Sequence, residues 1–154
     1  MADQKNYRPN AAVILTDGLG HILICESLER KGVFQVVQGG IDEGESPEDA
    51  ARREITEELG ITSDDYEIIE HMLETYAYDW DPEDKRRLKA TGFVGQNQYF
   101  FLAKVRPGVK FNLEHHAQEF SRVFWGTPEE LLRRAHHTKV RGLTAALEAF
   151  KRKW

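Results

Sequence analysis

The chain has 154 residues, enough for one domain with a real core and too few for two ordinary ones, so a single domain over 1–154 is expected. With 40% hydrophobic and 31% charged residues and no Gly/Ser or Pro tract, it is neither a disordered nor a fibrous sequence. Its formal charge of −5 argues against a DNA partner or any extended phosphate-tracking surface.

Apolar runs such as Ala11 to Leu15 and Ile22 to Cys25 fall far short of the roughly 20 residues that cross a bilayer, so no membrane partner is expected. The polar start MADQKNYRPN lacks a secretory pattern and the one cysteine cannot close an intramolecular disulfide, which together point to a cytoplasmic address. Cys25, inside an apolar run, reads as a small buried hydrophobe without a chemical role.

Ala11 to Thr16 and His21 to Glu26 are β-type runs around Asp17-Gly18-Leu19-Gly20, a hairpin signal. Val33 to Val37 is a further short strand, ending at Gln38-Gly39-Gly40, where the chain can turn without a Cβ penalty. A helix follows from Pro47 to Leu59. Ser46 is its N-cap, Pro47 suits the first position, Asp49 can complete a capping box, and Gly60 ends it. Ala51, Ile55 and Leu59 form its apolar stripe, which leaves the carboxylates on other faces. Tyr66 to Glu74 and Gln98 to Val105 read as strands, with a polar, basic segment from Asp79 to Thr91 as a long loop or broken helix between them. Phe120 to Trp125 is a last strand, Thr127-Pro128-Glu129-Glu130 a helix start, and Leu143, Ala146, Leu147 and Phe150 the apolar face of a final helix. Interleaved strands and helices imply an α/β architecture with a mixed sheet.

Within the first helix, Glu54, Glu57 and Glu58 stand at i, i+3 and i+4 and converge within one turn. Like charges there repel by a few tenths of a kcal/mol per pair on a solvated face, whereas a hard dication with oxygen ligands turns the repulsion into binding. Spacing alone leaves both readings open. Glu45 can fold back toward the cluster, Arg53 can pair with Glu57, and Gly39-Gly40 lets the backbone pass close by.

The full pattern decides between them. Gly39, five residues, Glu45, seven residues, Arg53-Glu54-Ile55, one residue, Glu57-Glu58, one residue, Gly60-Ile61 matches the signature of the Nudix hydrolases at every defined position. The resemblance implies an α/β/α sandwich that hydrolyses nucleoside diphosphates linked to another group, with two or three Mg²⁺ ions, for which Mn²⁺ can substitute. It implies metal binding at Glu54, Glu57 and Glu58, with the Gly39 region beside them, an orienting role for Arg53, and water attack on phosphorus with no covalent intermediate. A closer likeness, over about three quarters of the chain, is to the branch of RNA 5′-pyrophosphohydrolases and plant-type dinucleoside polyphosphate hydrolases. It rests on Tyr7-Arg8-Pro9-Asn10, Phe34-Gln35-x-x-Gln38-Gly39-Gly40 and Gly95-Gln96-x-Gln98-x-Phe100-Phe101-Leu102. That branch implies Glu119 as a further metal ligand or the general base, with Glu57 the other candidate base. It also makes Arg8, Gln35, Gly39, Gly40, Tyr76, Lys85, Gln98 and Lys139 the candidate substrate contacts.

The chain departs from the branch at three places. Val37 stands where proline is common, the basic residue expected around Glu26-Ser27 is missing, and His136-His137-Thr138 replaces an aromatic that resembles a base-stacking residue in RNA-acting members. The segment Tyr76 to Gly92, with Tyr76, Tyr78, Trp80 and the Lys85 to Lys89 cations, is more similar to the dinucleoside enzymes. The expected partner is thus a nucleotide, a dinucleoside polyphosphate such as diadenosine tetraphosphate or the 5′ end of RNA. Nucleotide-sugar or nucleoside triphosphate hydrolysis, or a ligand-sensing module, are the alternatives. His115-His116 lacks further ligands at suitable spacing for a zinc site.

Overall fold

The computed structural model describes residues 6–83 and 85–154, the side chains of Lys85 and Leu88 excepted. Strands β1 (Tyr7–Thr16), β2 (Ile22–Ser27), β3 (Phe34–Gln35) and β4 (Val37–Gly40) lead into α1 (Pro47–Leu59). Then come β5 (Tyr66–His71), β6 (Tyr76–Asp79), α2 (Lys85–Thr91), β7 (Gly95–Val105) and β8 (Phe120–Gly126). The chain closes with α3 (Pro128–Arg134), a 3-10 turn (His137–Lys139) and α4 (Val140–Phe150).

β1 is the organising strand. It runs parallel to β7 from Tyr7↔Gly95 to Thr16↔Lys104 and antiparallel to β4 from Asn10↔Gly40 to Val13↔Val37. β5 and β6 extend the sheet along the far side of β7, both antiparallel to it. β2 pairs with β3 and β8. The hairpin read from the sequence therefore exists only at its tip, where Thr16 pairs with Ile22. Turn chemistry is local: Asp17 Oδ1 accepts the N–H groups of Leu19 and His21. Burial decides the strand pairing beyond that tip, because β1 is covered on both faces from Asn10 to Thr16 and needs a partner along each edge.

Alternate residues of β1 and β7 supply two cores. Ala11, Val13, Leu15, Phe101 and Ala103 pack against Ala50, Ala51, Ile55 and Leu59 of α1. Ala12, Ile14, Phe100 and Leu102 pack against Leu131 of α3 and Leu143, Ala146, Leu147 and Phe150 of α4. The result is a mixed sheet between helices, an α/β sandwich. Each fully buried Ile or Leu contributes on the order of 2 kcal/mol of hydrophobic stabilisation.

Several boundaries differ from the sequence reading. The Val33 to Val37 run breaks at Val36, its first part pairing with β2 and its second with β1. The Tyr66 to Glu74 strand stops at His71. The Asp79 to Thr91 segment, read as a loop or broken helix, contains the short helix α2, preceded by β6. The bounds of α1 match the reading, with Gly60 closing the helix at φ 67°; the Ser46 side chain accepts the Asp49 N–H, but the return bond from Asp49 that would complete a capping box is not formed among the described residues. Its carboxylates do not all lie off the buried face, however. Glu54 and Glu58 are 8% and 4% exposed, on the row begun by Ala50. Glu54 can be buried because α1 crosses β4 where Gly39 offers no side chain, and Glu58 lies against the Gln38 backbone beside it.

Candidate active site

Gly39 makes room for the cluster and Gly40 for Arg8. A Cβ on Gly39 would lie 2.1 Å from the Glu54 carboxyl carbon, and one on Gly40 would lie 2.2 Å from Nη2 of Arg8. Neither position accepts a larger residue without moving a functional side chain.

Arg53 is the hub of the helix side. Nε and Nη2 donate to the two oxygens of Glu45 at 2.8 and 2.9 Å, Nη2 also reaches Gly40 O at 2.8 Å, and Nη1 donates to Glu54 Oε1 at 2.8 Å and Glu57 Oε2 at 3.4 Å. One guanidinium thus ties the loop before the helix, the end of β4 and two cluster glutamates into one arrangement. Its hydrogen bonds hold the Glu45 carboxyl down at about 2.

Glu58 is the opposite case. Oε2 accepts the Gln38 N–H at 3.3 Å, while Oε1 is buried with no hydrogen-bond partner among the described residues. Burial first, then the carboxylates of Glu119 and Glu54, push Glu58 well above the usual carboxylate range. Burial raises Glu54 as well, with Arg53 opposing. An acceptor that faces like charges and lacks a donor fits a hard dication bound by oxygen ligands, and Glu54, Glu57, Glu58 and Glu119 form such a donor set.

Beside the cluster opens a cleft of about 530 Å³. Gln35, Gln38, Glu119 and Lys139 line it, with Tyr78, Trp80 and Arg87 on the wall formed by the segment after β5. Burial and the nearby Arg87 charge bring the Lys139 ammonium down to about 8, against the pull of Glu58 and Glu119. The Tyr78 hydroxyl donates to Gln96 Oε1 at 2.6 Å, and burial raises that phenol to about 12. Arg87 lies over the Trp80 ring at 5.3 Å.

The structure gathers Arg53, Glu54, Glu57, Glu58, Glu119 and Gly39 in one place, with Gln35 and Lys139 in the adjoining cleft and Arg8 packed against Gly40 on the other face of β4. Two sequence candidates sit elsewhere. Gln98 is buried and donates to Asn10 Oδ1 at 3.1 Å, and Asn10 in turn donates to Gln38 Oε1 at 2.7 Å, a polar chain across β7, β1 and β4. Tyr76 packs beneath Arg141, whose guanidinium is 5.2 Å from its ring centre. The Lys85 side chain lies outside the described residues. Arg30, unnoticed in the sequence, joins the cleft wall near the position where a basic residue was missing. Only loop geometry could have revealed it. His115 and His116 are exposed, and no metal-ligand cluster among the described residues includes them. Cys25 is buried and its thiol is pushed well above its usual value, in keeping with an inert residue.

A NUDIX domain model matches residues 6–147 of the chain. The RNA pyrophosphohydrolase of Erythrobacter litoralis is 35% identical over 136 residues, covering 85% of this chain and 82% of that protein. That of Helicobacter pylori strain G27 is 32% identical and covers 96% of each chain. Among solved structures, the E. coli dihydroneopterin triphosphate pyrophosphohydrolase superposes with a TM-score of 0.77 at 18% identity, over 97% of this chain and all of that one. A C. elegans Ap4A hydrolase binary complex does so with a TM-score of 0.71 at 22% identity, over 96% and 99%. At these identities the structures speak for the fold alone.

Proposed function

The chain belongs to the NUDIX family and is a pyrophosphohydrolase, and from that premise we propose that it removes pyrophosphate from the 5′-triphosphate end of RNA. The observation that carries the catalytic part is the buried Glu58 carboxylate, which faces the charges of Glu119 and Glu54 and has one oxygen without a donor among the described residues. The similarity to RNA pyrophosphohydrolases along nearly the whole chain supports the substrate.

In this reading Glu54, Glu57, Glu58 and Glu119 would hold two or three Mg²⁺ ions. When bound, such ions clamp phosphate oxygens, acidify water and offset the charge that builds up at phosphorus. Arg53 holds Glu54 and Glu57 at fixed angles and leaves their remaining lone pairs to face the site. We assign the acceptance of the water's proton to Glu119, the exposed carboxylate that also lines the cleft where the substrate enters. Lys139 and Arg30 on the cleft wall meet the phosphates, Arg8 beside Gly40 is a further candidate contact, and Gln35 lies beside the entering nucleotide. A cytoplasmic address belongs to the same proposal, and no helix among the described residues is long and apolar enough to cross a membrane.

A second substrate is favoured by one feature, the wall of Tyr78, Trp80 and Arg87, which could stack an adenine and hold the polyphosphate of diadenosine tetraphosphate. The deciding experiment puts both substrates in competition for the enzyme with Mg²⁺ and compares kcat/KM. A larger value for the RNA supports the proposal, and a larger one for the dinucleotide, with AMP and ATP as products, replaces it with the second reading.

A further inference from the structure

On the rim of the cleft, apart from the glutamates, a second set of donors converges. Asp81 follows β6, and His136 and His137 lie 55 or more residues later, where α3 gives way to the 3-10 turn. Asp81 Oδ2 lies 3.3 Å from Nε2 of His136, and Oδ1 lies 2.9 Å from Nε2 of His137. The donor atoms of all three residues fall within 4.8 Å of one another.

Neighbouring side chains in extended backbone point to opposite sides. Here His136 is extended (φ −59°, ψ 136°) and the 3-10 turn begins at the next residue. The change of direction brings the two rings into a stack, centroids 4.6 Å apart and planes 30° from parallel. Both Nε2 atoms consequently address the same carboxylate.

The spacing is that of a coordination sphere. A tetrahedral ion with nitrogen and oxygen ligands at 2.0–2.1 Å requires those ligand atoms to be about 3.3 Å apart. The observed 2.9 and 3.3 Å need adjust by only a few tenths of an ångström. The ring of His136 is also held in place from behind, as a ligating imidazole's is: its Nδ1 lies 2.7 Å from Thr138 Oγ1 and 3.4 Å from the Thr138 N–H, which keeps Nε2 directed at Asp81.

We infer that Asp81, His136 and His137 form a binding site for a zinc-class transition dication, separate from the glutamate cluster. Two imidazoles and one carboxylate suit Zn²⁺, Co²⁺ or Ni²⁺, whereas Mg²⁺ takes oxygen ligands. Asp81 and His136 line the cleft, and the His137 side chain is 74% exposed, so the fourth position is open to water or to a phosphate oxygen. A bound ion joins the segment that carries Trp80 and Arg87 to the one that carries Lys139, and fixes the width of the cleft between them.

The test uses the full chain, stripped of metal and then held in excess Mg²⁺ so that the glutamate cluster is filled. Zn²⁺ is titrated calorimetrically, and Co²⁺ by its visible absorption. The expected result is one equivalent of Zn²⁺ at micromolar or tighter Kd and a four-coordinate Co²⁺ spectrum. His137→Gln and Asp81→Asn are each expected to weaken binding by at least about 10-fold, while Glu57→Gln leaves it unchanged. His137→Cys is expected to add a thiolate-to-cobalt charge-transfer band, which gives a readout independent of the loss-of-binding variants. Absence of Zn²⁺ binding under excess Mg²⁺ would overturn the assignment. So would binding that survives His137→Gln and Asp81→Asn but disappears in Glu57→Gln, since zinc would then occupy the glutamate cluster. A His137→Cys protein that binds Co²⁺ without the new band would overturn it too.

Discussion

Arg53 grips both carboxylate oxygens of Glu45, at 2.8 and 2.9 Å, across eight residues of chain. The pair locks the loop before α1 to the helix and leaves a third nitrogen for Glu54 and Glu57. Glu45→Gln keeps the shape but loses the charge-assisted fork, and is expected to cost about 1.5–3 kcal/mol in urea unfolding. It is expected to lower kcat by roughly 10-fold through misplaced glutamates. The pair also sets an acid limit. Because Glu45 is held at about 2, below its ordinary value of 4.5, its stabilisation is complete above 4.5 and is lost as pH falls toward 2. Acid titration of the wild type and Glu45→Gln should therefore converge at low pH; curves that stay parallel down to pH 2 would remove this linkage.

Glu58 has the opposite sign. Its raised value means that in the absence of metal the folded state is penalised as pH rises above the ordinary carboxylate range. Metal-free Glu58→Gln is expected to have the higher Tm at pH 8 and to lose that advantage at pH 5. Mg²⁺ should raise the wild-type Tm more than that of the variant. Turnover by Glu58→Gln, and likewise by Glu57→Gln, should fall at least about 10²-fold because a ligand charge is lost. Folded variants with near-normal kcat would reject the assigned site.

Gly39→Ala isolates the geometry of the site. The new methyl would occupy the space of the Glu54 carboxyl, 2.1 Å away, so that side chain must swing out. A loss of kcat of about 10-fold to 10²-fold is expected with a nearly unchanged Tm, since a 1 Å misplacement has such effects. A large fall in Tm together with intact kcat would show the glycine to be a packing residue instead.

Lys139 gives a pH signature in substrate binding. Its ammonium loses a proton near 8 in the free protein, so KM for a polyphosphate substrate should rise as pH passes 8 while kcat changes less. Lys139→Arg keeps its charge and should flatten that rise, and Lys139→Met should raise KM by about 10-fold even at pH 7. The measurement is a pH profile of KM for the three proteins. An identical rise in Lys139→Arg would assign it to another group.

Much of this was legible because it depends on near neighbours in the chain. The glutamates converge through the 3.6-residue period of α1, and Ser46, Pro47 and Gly60 set its ends through local hydrogen bonds and backbone conformation. The Gly39 to Ile61 pattern named the family for the same reason, since its members lie on one continuous stretch, the end of β4, the loop after it and α1 with its C-cap.

What lay beyond the sequence required partners from afar. Burial of Glu54 and Glu58 depends on α1 crossing β4 at Gln38 and Gly39, and the departure of β2 from β1 depends on β7 and β4 claiming both edges of the buried strand. Gln98, exposed to view in a motif, is buried in the chain through Asn10 to Gln38. Asp81 meets His136 and His137 only because β6 and the turn before α4 flank the same cleft. Local propensity and spacing determine which residues an element presents, but long-range pairing of strands and the packing of helices on them decide which presented groups lose water and what they face when they do.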